Sequence, residues 1–308
     1  MRSILITITL ISFGVAQPSF TAADIATSAD GVRSVFIIDL DSDGDLDIIS
    51  ASYNDDTIAW YENNGAADPS FTAADINTGA DGAFFVFAAD MDKDGDIDIL
   101  SANKDENTIS WYENDGAADP SWTAADIATS ANGARSVFVA DMDNDGDLDI
   151  LSASQEDHTI AWYENNGAAD PTWTAANITT AANGARSVVA ADMDNDGDLD
   201  ILATAYVDDK ILWYENNGAA DPSWTAITVA TSADGAFSIR AADIDNDGDQ
   251  DIVSGSFLDN AVAWYENNSI TPSLPSFTER TIEGDFDGAF SVYAVDMDGD
   301  GDMDVVGA

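Results

Sequence analysis

The sequence is periodic, and the period limits what it can fold into more than any other feature. A nine-residue aspartate run begins at Asp39, Asp90, Asp141, Asp192, Asp243 and Asp296, so its spacing is 51 residues four times and 53 once. DMDNDGDLDIL at 141–151 returns letter for letter at 192–202. A second marker, WYEN, begins at Trp60, Trp111, Trp162, Trp213 and Trp264, and the sixth copy reaches Ala308 before its own. The longer fifth interval carries ENNSITPSLPSFTE in place of ENNGAADPSWTA, a loop insertion. Such a chain folds as a row of like units, each completed by its neighbours.

One unit holds four segments with strand character. SVFVAD (136–141) and DILSAS (149–154) are apolar and partly β-branched, TIAWYEN (159–165) is β-branched and aromatic, and WTAADI (122–127) is weaker because alanine disfavours strands. The separators NDGD, QEDH, NGAADPS and ATSANGAR carry the Gly, Asn, Asp and Pro of tight turns. No segment has helical periodicity of useful length, which removes repeated βαβ units. The expected fold is all-β, a β-propeller of about 51-residue four-stranded blades, with six repeats seen and the last incomplete.

The aspartate run lies between the first and second strands. In the third copy Asp141, Asp143 and Asp145 hold positions 1, 3 and 5, Gly146 position 6, Asp147 position 7 and Asp149 position 9. Alternate carboxylates on a tight loop can converge on a hard cation, and a carbonyl can serve at position 7. Calcium accepts six to eight oxygens, whereas magnesium demands a stricter octahedron. Position 12 is Ser152 rather than the glutamate of a helix-flanked EF-hand loop, and the flanks are strands. The expected cofactor is Ca2+, about one per repeat. Its candidate ligands in the remaining copies are Asp39, Asp41, Asp43, Asp45 and Asp47; Asp90, Asp92, Asp94, Asp96 and Asp98; Asp192, Asp194, Asp196, Asp198 and Asp200; Asp243, Asp245, Asp247, Asp249 and Asp251; and Asp296, Asp298, Asp300, Asp302 and Asp304.

Charge and composition narrow the function classes. With 59 acidic and 9 basic residues the formal charge is −50, which disfavours nucleic acid and anionic membrane as partners. Six divalent ions would bring that charge only to −38. There is no cysteine, one histidine (His158) and no Gly-x-Ser-x-Gly, so no catalytic constellation emerges and the chain is expected not to be an enzyme. MRSILITITLISFGVAQ reads as a signal peptide over residues 1–16, ahead of a propeller over 17–308. The expected location is secreted or at the cell surface, with no membrane insertion after cleavage.

The pattern of SVFVADMDNDGDLDILSAS, repeated six times, resembles the FG-GAP and VCBS-type repeats of the integrin α-subunit propeller and of many secreted or surface-anchored proteins; the resemblance covers residues 18–308. It implies that the DxDxDGxxD loops bind calcium on one face, that SVFVAD is innermost at a central channel, and that WTAADI is outermost. It also implies that residues 18–25 pair with C-terminal strands, and that seven blades, the family's common count, are completed beyond Ala308. NGAR or DGAF stands where FG is expected, and SAS, SAN or SGS where GAP is, so the VCBS branch is the nearer likeness.

Aligning the copies separates constant columns from variable ones. The aspartates and WYEN barely change, and the tryptophans read as packing between blades, with sugar stacking the alternative. The variable positions are the turn after the second strand (Tyr53, Lys104, Gln155, Tyr206, Phe257) and the column opening the inner strand (Arg33, Phe84, Arg135, Arg186, Phe237, Phe290). Both belong to the face opposite the aspartate loops. Arg33, Arg135, Arg186, Lys104, Tyr53 and Tyr206 are the candidate ligand residues, unless each arginine merely pairs with a carboxylate such as Asp55 or Asp157. The leading reading is a binding or adhesion module for a glycan or protein with structural calcium. The alternatives are a lyase-like polysaccharide-processing enzyme on a calcium propeller and a purely structural calcium-binding array.

Overall fold

The computed structural model describes residues 22–268, 276–284 and 288–308. The expected signal peptide lies outside the described residues, and of segment 18–25 only 22–25 are described, without a strand. Five four-stranded antiparallel sheets and one two-stranded sheet follow one another, each with its strands in chain order. The third contains Ala134–Ala140, Asp149–Ser154, Thr159–Asn165 and Trp173–Thr179. The sixth contains Val292–Val295 and Asp304–Gly307. First strands of successive sheets touch one another, so they form the inner ring of a β-propeller.

Each strand's composition matches its place. The second strand, DILSAS in the third blade, is buried along its whole length, and its small Ser and Ala residues let neighbouring blades approach. The fourth strand is exposed over its middle, which is why weak β-formers are tolerated there. Its two ends are anchored: Ile127, Ile178 and Ile227 pack on the core clusters, and at the leading end Trp173 packs edge-on against Trp111 of the preceding blade and Trp224 likewise against Trp162, with centroids 6.5 and 6.4 Å apart.

No blade owns a core. Leu100, Ile109 and Trp111 of the second blade pack with Val137, Ile150 and Tyr163 of the third in one cluster, and the same positions recur at the next two boundaries. The ring is uneven at one place. Val35 is 59% exposed, whereas Val86, Val137, Val188, Ile239 and Val292 are at 1% or less. Each of the latter packs in a cluster shared with the blade before it, whereas Val35 belongs to no such cluster among the described residues.

Candidate functional site

The aspartate loops close one end of every blade. In the third loop Asn144 and Gly146 both take positive φ, 60° and 91°, and the Gly146 N–H donates to Asp141 Oδ2 at 2.9 Å. This curl brings alternate carboxylates together: oxygens of Asp39, Asp41 and Asp43, of Asp141, Asp143 and Asp145, and of Asp192, Asp194 and Asp196 lie within 4.8 Å of one another. In the second and fifth loops the groups are Asp90, Asp92 and Asp98, and Asp243, Asp245 and Asp251.

One oxygen each of Asp39, Asp90 and Asp194 is buried with no hydrogen-bond partner. Such orphaned anionic oxygens are costly unless a cation answers them. The position-3 carboxyls Asp41, Asp92, Asp143, Asp194, Asp245 and Asp298 are all held above the usual carboxylate range, by burial first and then by neighbouring like charges. The residues therefore fit a metal, and each repeat's acidic cluster can chelate a divalent ion.

The later aspartates of each run, Asp98 and Asp251 of these clusters among them, serve the scaffold as well. At position 9, Asp149 accepts from Met142 N at 3.2 Å and Asn165 N at 2.8 Å, and Asp200 accepts from Met193 N and Asn216 N at 3.1 and 2.8 Å. Burial pushes Asp98, Asp149 and Asp200 up to about 7 against these hydrogen bonds. The WYEN indoles face the same carboxylates and lower their pKa, without the geometry of a formed hydrogen bond.

At position 7 the carboxylate meets the preceding loop. Asp147 pairs with Lys93, Asp198 accepts from Asn144 Nδ2 at 2.8 Å, Asp249 from Asn195 at 2.6 Å and Asp302 from Asn246 at 3.0 Å. The WYEN asparagine is a second staple between blades, since Asn165 Nδ2 donates to Met91 O and Leu148 O at 3.0 and 3.1 Å. Sequence reading missed both links, although the column of Lys or Asn at position 4 was the visible sign of the first and the constant Asn of WYEN that of the second. Trp60, Trp111, Trp162 and Trp213 are buried at the blade boundaries, as the packing reading expects, and offer no platform for a sugar; Trp264 is partly buried, with the Arg280 guanidinium 5.3 Å from its ring centre.

The opposite end carries the variable columns. The Arg33 guanidinium lies 5.3 Å from the Tyr53 ring centre and 5.9 Å from that of Phe84; Arg135 lies 4.3 Å over Phe84. Arg186 is sandwiched by Tyr206 and Phe237 at 4.4 and 3.9 Å. Lys104 is 5.6 Å over Tyr53 but is engaged by Asp105 at 2.7 Å, which also accepts from Tyr53 Oη. Among the described residues none of the three arginines forms an ion pair; Arg135 Nε donates to Gln155, and Arg186 Nε is buried without an acceptor. The expected alternative of pairing with Asp55 or Asp157 is thus not what forms. Burial and the repulsion of Arg135 and Arg33 push Arg186 down to about 10.

His158 has a structural role. It takes positive φ in the turn between second and third strands, and its Nδ1 accepts from Gly184 N at 3.1 Å, with Gln155 O close by at 3.0 Å. Asp56, Asn107, Asp209 and Asn260 accept the same bond with side-chain oxygens in the other blades.

A family model described as FG-GAP-like repeat matches residues 39–101, 90–152, 143–203, 202–254 and 246–307. The match is to the repeat unit and does not single out the integrin α-subunit. No curated protein matches the chain in sequence. Among solved structures, a catalytically inactive histidine-to-alanine variant of virginiamycin B lyase from Staphylococcus aureus, with quinupristin, superposes with TM-score 0.57 at 14% identity, covering 87% of this chain and 75% of that one. The V. cholerae biofilm matrix protein Bap1 gives 0.52 at 19%, covering 86% of this chain and 41% of its own, so the chain spans less than half of Bap1. An auxiliary nutrient binding protein from Bacteroides ovatus gives 0.53 at 13%, covering 86% and 64%. These likenesses share a fold. They correct the expectation that the chain is not an enzyme: the same architecture carries a lyase, so missing sequence motifs do not remove catalysis from this scaffold.

Proposed function

The chain belongs to the FG-GAP-like repeat family, and from that premise we propose that it is a secreted or cell-surface propeller, stabilised by about one calcium per repeat, whose opposite end takes an anionic glycan or protein. Calcium suits the loops better than magnesium because several carboxylates crowd a short, adaptable turn. The observation that carries the ligand reading is three stacked guanidinium groups without carboxylate partners in a chain with 59 acids. A planar fork held over an aromatic ring is ready for bidentate contact with a carboxylate or sulfate while the rings cover a sugar. The overall charge of −50 opposes long-range approach of a polyanion, so affinity is modest and rises slightly with salt before falling.

Calorimetry with a sulfated oligosaccharide tests this. Replacing Arg33, Arg135 and Arg186 together by alanine abolishes binding and leaves calcium uptake intact; retained affinity would assign the arginines to structure. A second reading, that the chain cleaves the glycan it holds, draws support from the lyase of the same fold. Since His158 Nδ1 is committed to Gly184, a base in that reading has to be a carboxylate or a tyrosine. Release of unsaturated sugar ends from a uronate polymer would establish it.

A further inference from the structure

The propeller's central channel holds a cation that neither the metal loops nor the arginine rim uses. Phe36, Phe87, Phe138 and Arg240, the fifth residues of their inner strands, line the channel together with Tyr293 of the short sixth inner strand, while Val189, at the same register in the fourth blade, is buried in the blade-boundary core. Half of this column is an aromatic wall, with Phe87 centred 4.8 Å from Phe36 and 5.5 Å from Phe138. On the other side stands Arg240, its guanidinium 6.0 Å from the Tyr293 ring centre. Together they line a cavity of about 670 Å³, within the roughly 300–1,000 Å³ typical of small-molecule sites.

Arg240 is partly buried, and among the described residues its one hydrogen bond runs to the neighbouring Ile239 carbonyl, 2.7 Å from Nη1. Among the described residues no carboxylate pairs with it, and burial holds its pKa below the usual arginine value. A partly buried guanidinium left without an anion is a cost to folding. Four of the other five inner strands meet the column position with an aromatic and one with valine, so packing alone does not ask for a charge.

We propose that the channel binds a small organic anion, with an apolar or aromatic body against Phe36, Phe87 and Phe138 and a carboxylate, sulfate or phosphate group on Arg240. This site lies inside the ring. It stands or falls apart from the rim formed by Arg135 and Arg186, although Arg33 borders both.

The test uses 8-anilinonaphthalene-1-sulfonate, an aryl sulfonate, beside neutral N-phenyl-1-naphthylamine, in fluorescence titrations of the calcium-loaded protein. Wild type is expected to bind one sulfonate probe per chain. Arg240→Val, which installs the residue of the fourth repeat, weakens the sulfonate at least tenfold, leaves the neutral probe unchanged and melts no lower than wild type. Arg240→Phe, the residue of the second and third repeats, keeps the test open should the valine variant fold poorly. The Arg135→Ala, Arg186→Ala double variant keeps sulfonate affinity. Equal sulfonate affinity in both Arg240 variants, absence of sulfonate binding to wild type, or its loss in the double variant overturns the proposal. A lower melting temperature in both Arg240 variants with unchanged sulfonate binding assigns Arg240 to structure.

Discussion

The two ends of the propeller are built by opposite rules. At the loop end the same aspartates recur in every blade, and their hydrogen bonds recur with them: Gly146, Gly197 and Gly248 N–H all reach the position-1 carboxylate at 2.9 to 3.0 Å. At the other end the turn backbone is constant, yet the side chain opening the inner strand is arginine in three blades and phenylalanine in the other three. Repetition marks the end that every blade needs in order to stand beside the next. Variation at fixed register marks the end where a particular surface is displayed.

The largest expected effect separates the ends by their dependence on metal. An occupied site at a hundredfold excess over its Kd adds about 2.7 kcal/mol, and each kcal/mol is worth roughly 2 °C or more in a domain of this size. With several loops filled, chelation should lower the melting temperature by about 10 °C or more, and calcium should restore it. An unchanged melting curve in excess chelator, with no metal in elemental analysis, would reduce the loops to solvated turns and erase the contrast.

Within the loop end, positions 3 and 9 should part company. Asp200→Ala removes a buried acceptor from Met193 N and Asn216 N, at a cost of about 3 kcal/mol whether or not metal is present. Asp194→Asn keeps the shape and relieves a crowded carboxylate, so it should cost stability only in calcium. Denaturant unfolding of both variants with and without chelator checks this; equal metal dependence would make position 9 a ligand of the same rank.

Acidification gives a smaller effect of opposite sign in the two metal states. Asp98, Asp149 and Asp200 stand at about 7 in the folded chain without metal, above their unfolded range. A carboxyl raised in this way contributes stability that is present at low pH and lost as pH rises through the folded value. The chelated protein should therefore melt a few degrees higher at about pH 5 than at about pH 8. The calcium-loaded protein should melt lower at the acidic end, because protons compete with the ion. Parallel pH profiles in the two states would remove metal from the account of the loops.

Much of this was legible because a repeat compares a sequence with itself. The period gave the blades, four turn-bounded segments gave the strands, and six aligned runs identified the clusters around Asp141, Asp143 and Asp145. Contacts between units were harder to see. Asn144 meets Asp198 across 54 residues and Asn165 meets Met91 across 74, distances that no local pattern reveals until the blades are placed side by side. His158 was legible as unusual but not as an Asx substitute, because its role rests on a positive φ and a glycine 26 residues away. Arg240 was hidden for a similar reason: its meaning comes from five residues of other blades that share its channel column.

The smallest expected effect lies in the fifth loop, the one departure from uniformity at the repeated end. Position 8 is apolar in the other copies, and Ile97, Leu148 and Leu199 pack against the cluster shared with the preceding blade. Leu46, which packs on no such cluster among the described residues, is 60% exposed. Gln250 occupies this place at the boundary of the fourth and fifth blades. Its carbonyl still accepts from Asn267 Nδ2 at 3.0 Å, as Leu199 O does from Asn216, so the backbone anchor is kept and only the apolar contact of the side chain is lost. Gln250→Leu should add about 1 kcal/mol by half-burying an apolar side chain. In wild type the amides of residues 244–249 should exchange faster than those of 193–198, and the substitution should bring the two loops together. Equal exchange before the change would show that the asparagine staple alone holds each loop, and that the apolar residue at position 8 serves the blade boundary rather than the metal end.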